Sequence, residues 1–195
     1  MSHNPEFFDS SDGTSSVLWL RRDRPILAYG LMLFAAVCLV LNYFIKFPTF
    51  LDEAVASFRE YRDKKMSLQI ETSDPLKLER YFAAEGAPFA VRSLDPAIYI
   101  LKGGRVHRML NRKSCWYVYQ GQGNTPFVFQ EFPGSTEELP APTQVLQYRG
   151  LRFHIYWSEA ITAVFWQEKN RCCSLTSDAA PEEVIRLAQA SPRVD

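Results

Sequence analysis

Hydrophobic and polar positions divide the chain into three regimes. From Ile26 to Ile45 the sequence ILAYGLMLFAAVCLVLNYFI runs for twenty residues without a charge. At 1.5 Å rise per residue, a helix of that length spans about 30 Å, the thickness of a bilayer's hydrocarbon core. Pro25 suits a first helical position, and Trp19 and the Tyr43–Phe44 pair stand where interfacial aromatics belong. A secretory signal has a shorter apolar run and a small-residue cleavage site, whereas Lys46-Phe47-Pro48 comes next here. The pattern predicts a single transmembrane helix over residues 25–46. Residues 1–24 are polar and aperiodic, as from Asp9 to Ser16, and predict a flexible cytoplasmic tail. Arg21, Arg22 and Arg24 crowd that flank, while Lys46, Arg59, Arg62, Lys64 and Lys65 lie beyond the apolar run. With three bases before the run and five beyond it, the positive-inside comparison is ambiguous by count. The immediate arginine cluster favours a cytoplasmic N-terminus and a C-terminal part outside.

After the apolar run the period changes to that of an amphipathic helix. Leu51, Val55, Phe58 and Tyr61 recur at near-helical spacing, with Asp52 and Glu53 at the start and Lys64-Lys65 at the end. A juxtamembrane helix over 47–65 is expected: a stalk, a partner-binding helix or a helix packed on the C-terminal domain. From residue 66 to 190 short alternating runs predict that domain to be compact. Strands are expected at Ser67–Thr72, Phe89–Val91, Ala97–Leu101, Arg105–Leu110, Cys115–Tyr119, Phe127–Phe129, Gln144–Tyr148, Arg152–Trp157, Thr162–Trp166 and Cys172–Thr176. Gly103-Gly104, Gly121 to Asn124, Arg149-Gly150 and Glu168 to Asn170 read as turns, and Pro133 to Pro142 as a surface loop. Asp74-Pro75 opens a helix closed by Gly86, and a second helix falls within Asp178 to Ala190. Successive strands with short turns and few helices predict an α+β domain built on an antiparallel sheet.

Composition then narrows the function classes. The 195 residues carry 22 basic and 22 acidic side chains, so the cationic excess of a nucleic-acid binder is absent. Apolar residues at 47% and aromatics at 14% are enough for a packed core. Candidate chemistry is sparse. No G-x-S-x-G, H-E-x-x-H or P-loop pattern occurs. His107 and His154 lie in alternating runs and read as sheet-face residues, so neither a catalytic nor a metal or cofactor site is expected. The Glu137-Glu138 and Glu182-Glu183 pairs fall in a loop and at a helix start, where solvation and the helix dipole explain them.

Two features remain open on the residues alone. Cys115, Cys172 and Cys173 all lie in the C-terminal domain, while Cys38 lies in the apolar run. In an oxidising compartment Cys115 pairs with Cys172 or Cys173; otherwise all three are buried thiols. Trp116-Tyr117 and Phe165-Trp166 are adjacent aromatics, so each pair splits across the sheet. One member enters the core, and the other meets a flanking helix, a partner or the membrane, which makes the four residues candidate docking positions.

The order of motifs also resembles a known family. A DP-led helix spans Asp74 to Phe82, and L-x-G-G-R-V opens the stretch Leu101 to Leu110. Aromatic strands run from Tyr117 to Phe132, a Y-R-G turn opens Tyr148 to Trp157, and SLTSDA precedes a helix within Ser174 to Leu187. This resembles the extracytoplasmic domain of membrane-anchored anti-sigma factors, the RsiW-like transmembrane regulators. The zinc-binding H-x-x-x-C-x-x-C signature of their cytoplasmic domain has no counterpart before the apolar run, where His3 is the one histidine. The resemblance implies a non-catalytic single-pass protein of a bacterial inner membrane, with its C-terminal domain periplasmic. That domain would act in regulation, sensing or docking, with the lipid bilayer and another membrane or periplasmic protein as partners. An accessory subunit of a larger membrane complex is the alternative.

Overall fold

The computed structural model describes residues 29–35 and 48–191. The chain divides into two units, residues 1–47 and 48–195. In the first, residues 29–35 are helical; the expected tail 1–24 and most of the expected transmembrane helix 25–46 lie outside the described residues. Among the described residues no helix is long and apolar enough to cross a membrane.

The second unit is α+β, as the alternating pattern predicts. Helix α1 (Phe50–Arg62) is followed by β1 (Ile70–Glu71), α2 (Pro75–Ala84), β2 (Ile100–Met109), β3 (Arg112–Gln120) and β4 (Pro126–Pro133). Then come β5 (Gln144–Tyr148), β6 (Leu151–Ser158), β7 (Ile161–Glu168), β8 (Arg171–Ser177) and α3 (Pro181–Ala190). The eight strands form one sheet in the order β1-β2-β3-β4-β8-β7-β6-β5, antiparallel throughout. Two four-stranded meanders thus meet at β4 and β8. Two-residue turns close two of the hairpins with Leu110 and Asn111, and Arg149 and Gly150, at positive φ. Such turns match the right-handed twist of the strands they join.

Side chains alternate between two buried layers. One holds Leu78 and Phe82 of α2, Val184, Leu187 and Ala188 of α3, and Cys115, Tyr117, Phe129, Trp166 and Cys173 of the sheet. The other holds Phe50, Ala54, Val55 and Phe58 of α1 against Trp116, Val118, Phe132, Phe165 and Cys172. Helix α1 is therefore the packed helix of the three alternatives and part of the domain. A capping box between Thr49 and Asp52 fixes its start. Asp74 caps α2, accepting from the Leu76 and Lys77 N–H groups, with Pro75 in the first turn. The ten-residue link from β4 to β5 crosses the sheet and contains a 3-10 turn, Thr136–Glu138. Gln167 holds the link by bonds to the Thr136 N–H and the Gly134 carbonyl, and the Tyr156 hydroxyl donates to the Pro140 carbonyl.

The structure corrects three local expectations. Gly103-Gly104 is not a turn: both residues lie inside β2, where the register with β3 shifts between Leu101 and Gly103. Gly103 sits at φ +133, and a Cβ there would come within 2.0 Å of the Ile70 carbonyl oxygen. Glycine serves close approach of β1 and a bulge, not chain reversal. The expected Ser67–Thr72 strand contracts to Ile70–Glu71. Phe89–Val91 is not a strand; it packs as a loop on the α2 and α3 side.

Candidate functional site

Each adjacent aromatic pair does split across the sheet, but both members end up buried. Trp116 and Phe165 lie under α1, whereas Tyr117 and Trp166 lie under α2 and α3, and all four are 0% exposed. The expectation that these four dock a partner is overturned, because helices cover both faces of this sheet. The exposed aromatics of the domain are Trp157 and Tyr148 instead.

The cysteine pairing fails on strand order. Cys115 and Cys173 share a face, but each is the cross-strand neighbour of Glu131, so β4 stands between them. Two strand spacings amount to roughly 9.5 Å, beyond the ~7 Å limit for a disulfide's Cα atoms. Cys172 points into the opposite layer. All three are buried free thiols. Burial pushes the Cys172 thiol up to about 12 and those of Cys115 and Cys173 well above their ordinary value, so none offers a thiolate nucleophile.

The cluster that sequence reasoning missed is built on Arg92. This residue is 3% exposed and lies in the loop between α2 and β2. Nε donates to Glu131 Oε1 at 3.0 Å, Nη1 to the Ser191 carbonyl at 3.0 Å, and Nη2 to Glu168 Oε2 at 2.9 Å and Cys173 Sγ at 3.3 Å. Its backbone is held as well: the N–H donates to the Tyr117 hydroxyl, and its carbonyl accepts from the Tyr119 hydroxyl. Arg171 approaches the second Glu131 oxygen at 3.5 Å, and Trp166 Nε1 donates to Glu168 at 2.7 Å. Two arginines thus face two glutamates. Burial works against the Arg92 charge, yet Glu131 and its other neighbours more than offset this and raise its pKa. With four of the five guanidinium N–H donors engaged, the cluster pins the 87–99 loop and the end of α3 to the sheet. The partners of its guanidinium lie 39 to 99 residues away in sequence, so only the odd placement of a charge after Phe89-Ala90-Val91 hints at it.

The two histidines lie apart. Neither ring nitrogen of His107 has a partner, nor does Nδ1 of His154. Burial, then Arg105, lowers His107 to about 4; burial, then Arg152, lowers His154. A histidine depressed in the fold takes up its proton first in the unfolded chain. Stability is therefore complete above about pH 6.5 and declines as pH falls toward about 4. Urea unfolding should show a loss on the order of 2 kcal/mol from His107 across that window. His107→Gln should flatten the slope; an unchanged slope in that variant would contradict the assignment. Among the described residues no group of three His, Cys, Asp or Glu side chains could hold a metal ion.

An open site of the domain lies beside the C-terminal end of α1. A cavity of about 680 Å³ has Val118 and Pro126 of β3 and β4, with Tyr61, Met66 and Leu68, as its apolar lining. Arg62, Lys64, Lys102 and Glu71 supply its charges, and Gln120 and Asn124 its amides. Local chemistry builds this shape. The Asp63 N–H returns to the Arg59 carbonyl, and Lys65 and Met66 N–H groups return to the Glu60 carbonyl, so the helix closes on itself. Lys64 takes φ +58 at this point, a conformation that a few per cent of non-glycine residues adopt. The chain then reverses and carries Ser67 and Leu68 back toward β1. The volume falls in the range of small-molecule sites, and the mix of an apolar lining with a few polar groups is theirs too.

No family model, curated protein or solved structure matches the chain.

Proposed function

We propose that the chain is a single-pass membrane protein whose C-terminal α+β domain lies outside the cytoplasm and works by binding, in regulation, sensing or docking. The observation that carries this reading is the apolar stretch. Within it, residues 29–35 are helical and leave Leu31, Met32, Leu33 and Phe34 each 70% or more exposed. A helix apolar on all sides has no stable place in water and fits a lipid environment. The domain adds support: its thiols are shifted away from reactivity, and it carries a cavity of small-molecule size. The resemblance to the extracytoplasmic domain of membrane-anchored anti-sigma factors agrees with sensing, and sigma-factor binding itself is no part of the proposal. Insertion is the test. Leu33→Lys places a base at the helix centre, which costs about 2.5–3.5 kcal/mol on insertion scales. The wild type should float with liposomes and resist carbonate extraction, and the variant should partly lose both; equal behaviour of the two would count against the reading.

A second reading, an accessory subunit of a membrane complex, is favoured by the sheet edge at β5. That strand reads QVLQY, without charge or proline, and leaves Val145 49% and Tyr148 39% exposed. Such an edge lacks the usual devices against strand pairing. Copurification of an integral-membrane partner at fixed stoichiometry, lost on Val145→Lys, would support it.

A further inference from the structure

We infer that the cavity beside α1 binds a small amphipathic anion: a carboxylate or phosphate head on a short apolar body. The inference rests on the proposed binding role of the domain and names the ligand class for its open site. The apolar part of the ligand is matched by the half-buried Met66 and Leu68, with the buried Val118 behind them in the cavity wall. The head is matched by Lys64 and Lys102. Most cations near the cavity or in the domain's core already have acids: Arg59 with Glu159, Arg62 with Asp63 and Asp178, Lys65 with Asp63, Arg92 with Glu131 and Glu168. Lys64 and Lys102 line the cavity and make no ion pair within 4.0 Å among the described residues. Glu71 is the one acid of the lining, so the lining keeps a positive balance against it even with Arg62 committed elsewhere.

Geometry fixes the selection further. Lys64 is held at φ +58 by the closure of α1, and Lys102 is placed by β2 across from β1, so the two ammonium groups reach the cavity from separate elements. Tyr61 lies edge-on to Trp116 at 5.2 Å between centroids, which fixes its ring as a wall. A cationic amphiphile would face two like charges, and an uncharged alkane would leave both lysines unanswered. A bare anion would leave the Met66 and Leu68 surface uncovered.

The test uses the full chain in phosphatidylcholine nanodiscs, titrated calorimetrically with octyl phosphate, octanoate, inorganic phosphate and octyltrimethylammonium. At least one of the two octyl anions should bind saturably. Inorganic phosphate and octyltrimethylammonium should bind at least tenfold more weakly. Lys64→Glu with Lys102→Glu should lower the octyl-anion affinity by about tenfold or more, the loss expected for a charged head deprived of its counterions. Lys65→Glu, whose ammonium pairs with Asp63 outside the lining, should leave affinity unchanged. Both exposed lysines lie away from the core, so circular dichroism of the double variant should match the wild type; for a variant that misfolds, Lys102→Ala alone serves. No saturable octyl-anion binding, equal binding of the cationic amphiphile, or indifference to the lysine substitutions would overturn the inference. Incorporation into the nanodisc is scored separately. A chain that incorporates and binds no octyl anion defeats this inference alone, and a chain that binds but stays out of the bilayer defeats the membrane reading alone.

Discussion

Arg92→Ala is expected to cost about 3–5 kcal/mol of domain stability, the usual loss when one member of a buried ion pair is removed. The substitution strips Glu131 of a bond at 3.0 Å and Glu168 of one at 2.9 Å, carboxylates that are only 2% and 10% exposed. It also frees the Ser191 carbonyl at the end of α3. Arg171 at 3.5 Å reaches Glu131 but not Glu168, so the remaining charge is only partly answered. Guanidinium unfolding of the two proteins measures the difference. Replacing Arg92, Glu131 and Glu168 together by Met, Leu and Leu should cost much less than the single change, since no buried carboxylate is then left unpaired and only the part-exposed Arg171 loses an acid. A loss below about 1 kcal/mol for Arg92→Ala would show that the cluster is open to water.

Trp166→Ala is expected to cost a similar ~3–5 kcal/mol, by another route. The ring is fully buried, tilts against Phe153 at 5.9 Å, and its Nε1–H donates to Glu168. Truncation opens a cavity and removes a donor at once. The Arg92 guanidinium also lies over the Trp166 ring at 6.0 Å, and both residues share Glu168. The two losses should therefore not add: a double-mutant cycle should show coupling of about 1 kcal/mol or more. Strict additivity would mean that Glu168 finds another partner.

These effects separate what the sequence shows from what it hides. Strands with clear alternation and short turns are legible: β5 to β8 lie within a few residues of where their patterns place them. Helices α2 and α3 are legible through Asp74-Pro75 and Pro181, because capping is a local matter. Gly103-Gly104 misleads because glycine marks both a turn and a close approach, and only the β1 carbonyl tells them apart. The cysteines mislead because cross-strand distance depends on strand order. The return from β4 across the sheet to β5 puts β8, not β5, beside β4. The same crossover buries the aromatic pairs on both sides, since α1 and the α2–α3 layer cover opposite faces. Arg92 and the cavity are invisible in the sequence for the same reason. Their members come from segments far apart in the chain, and no periodicity links them.

The proposed arrangement is an anchored chain with its folded domain outside the cytoplasm. The most direct measurement is a pair of reporter fusions after Asp195 in a bacterial host, one to alkaline phosphatase, which is active outside, and one to a fluorescent protein that matures inside. A strong phosphatase signal and a dark fluorescent fusion are expected, with loss of the phosphatase signal on Leu33→Lys. A bright fluorescent fusion with an inactive phosphatase would contradict the claim.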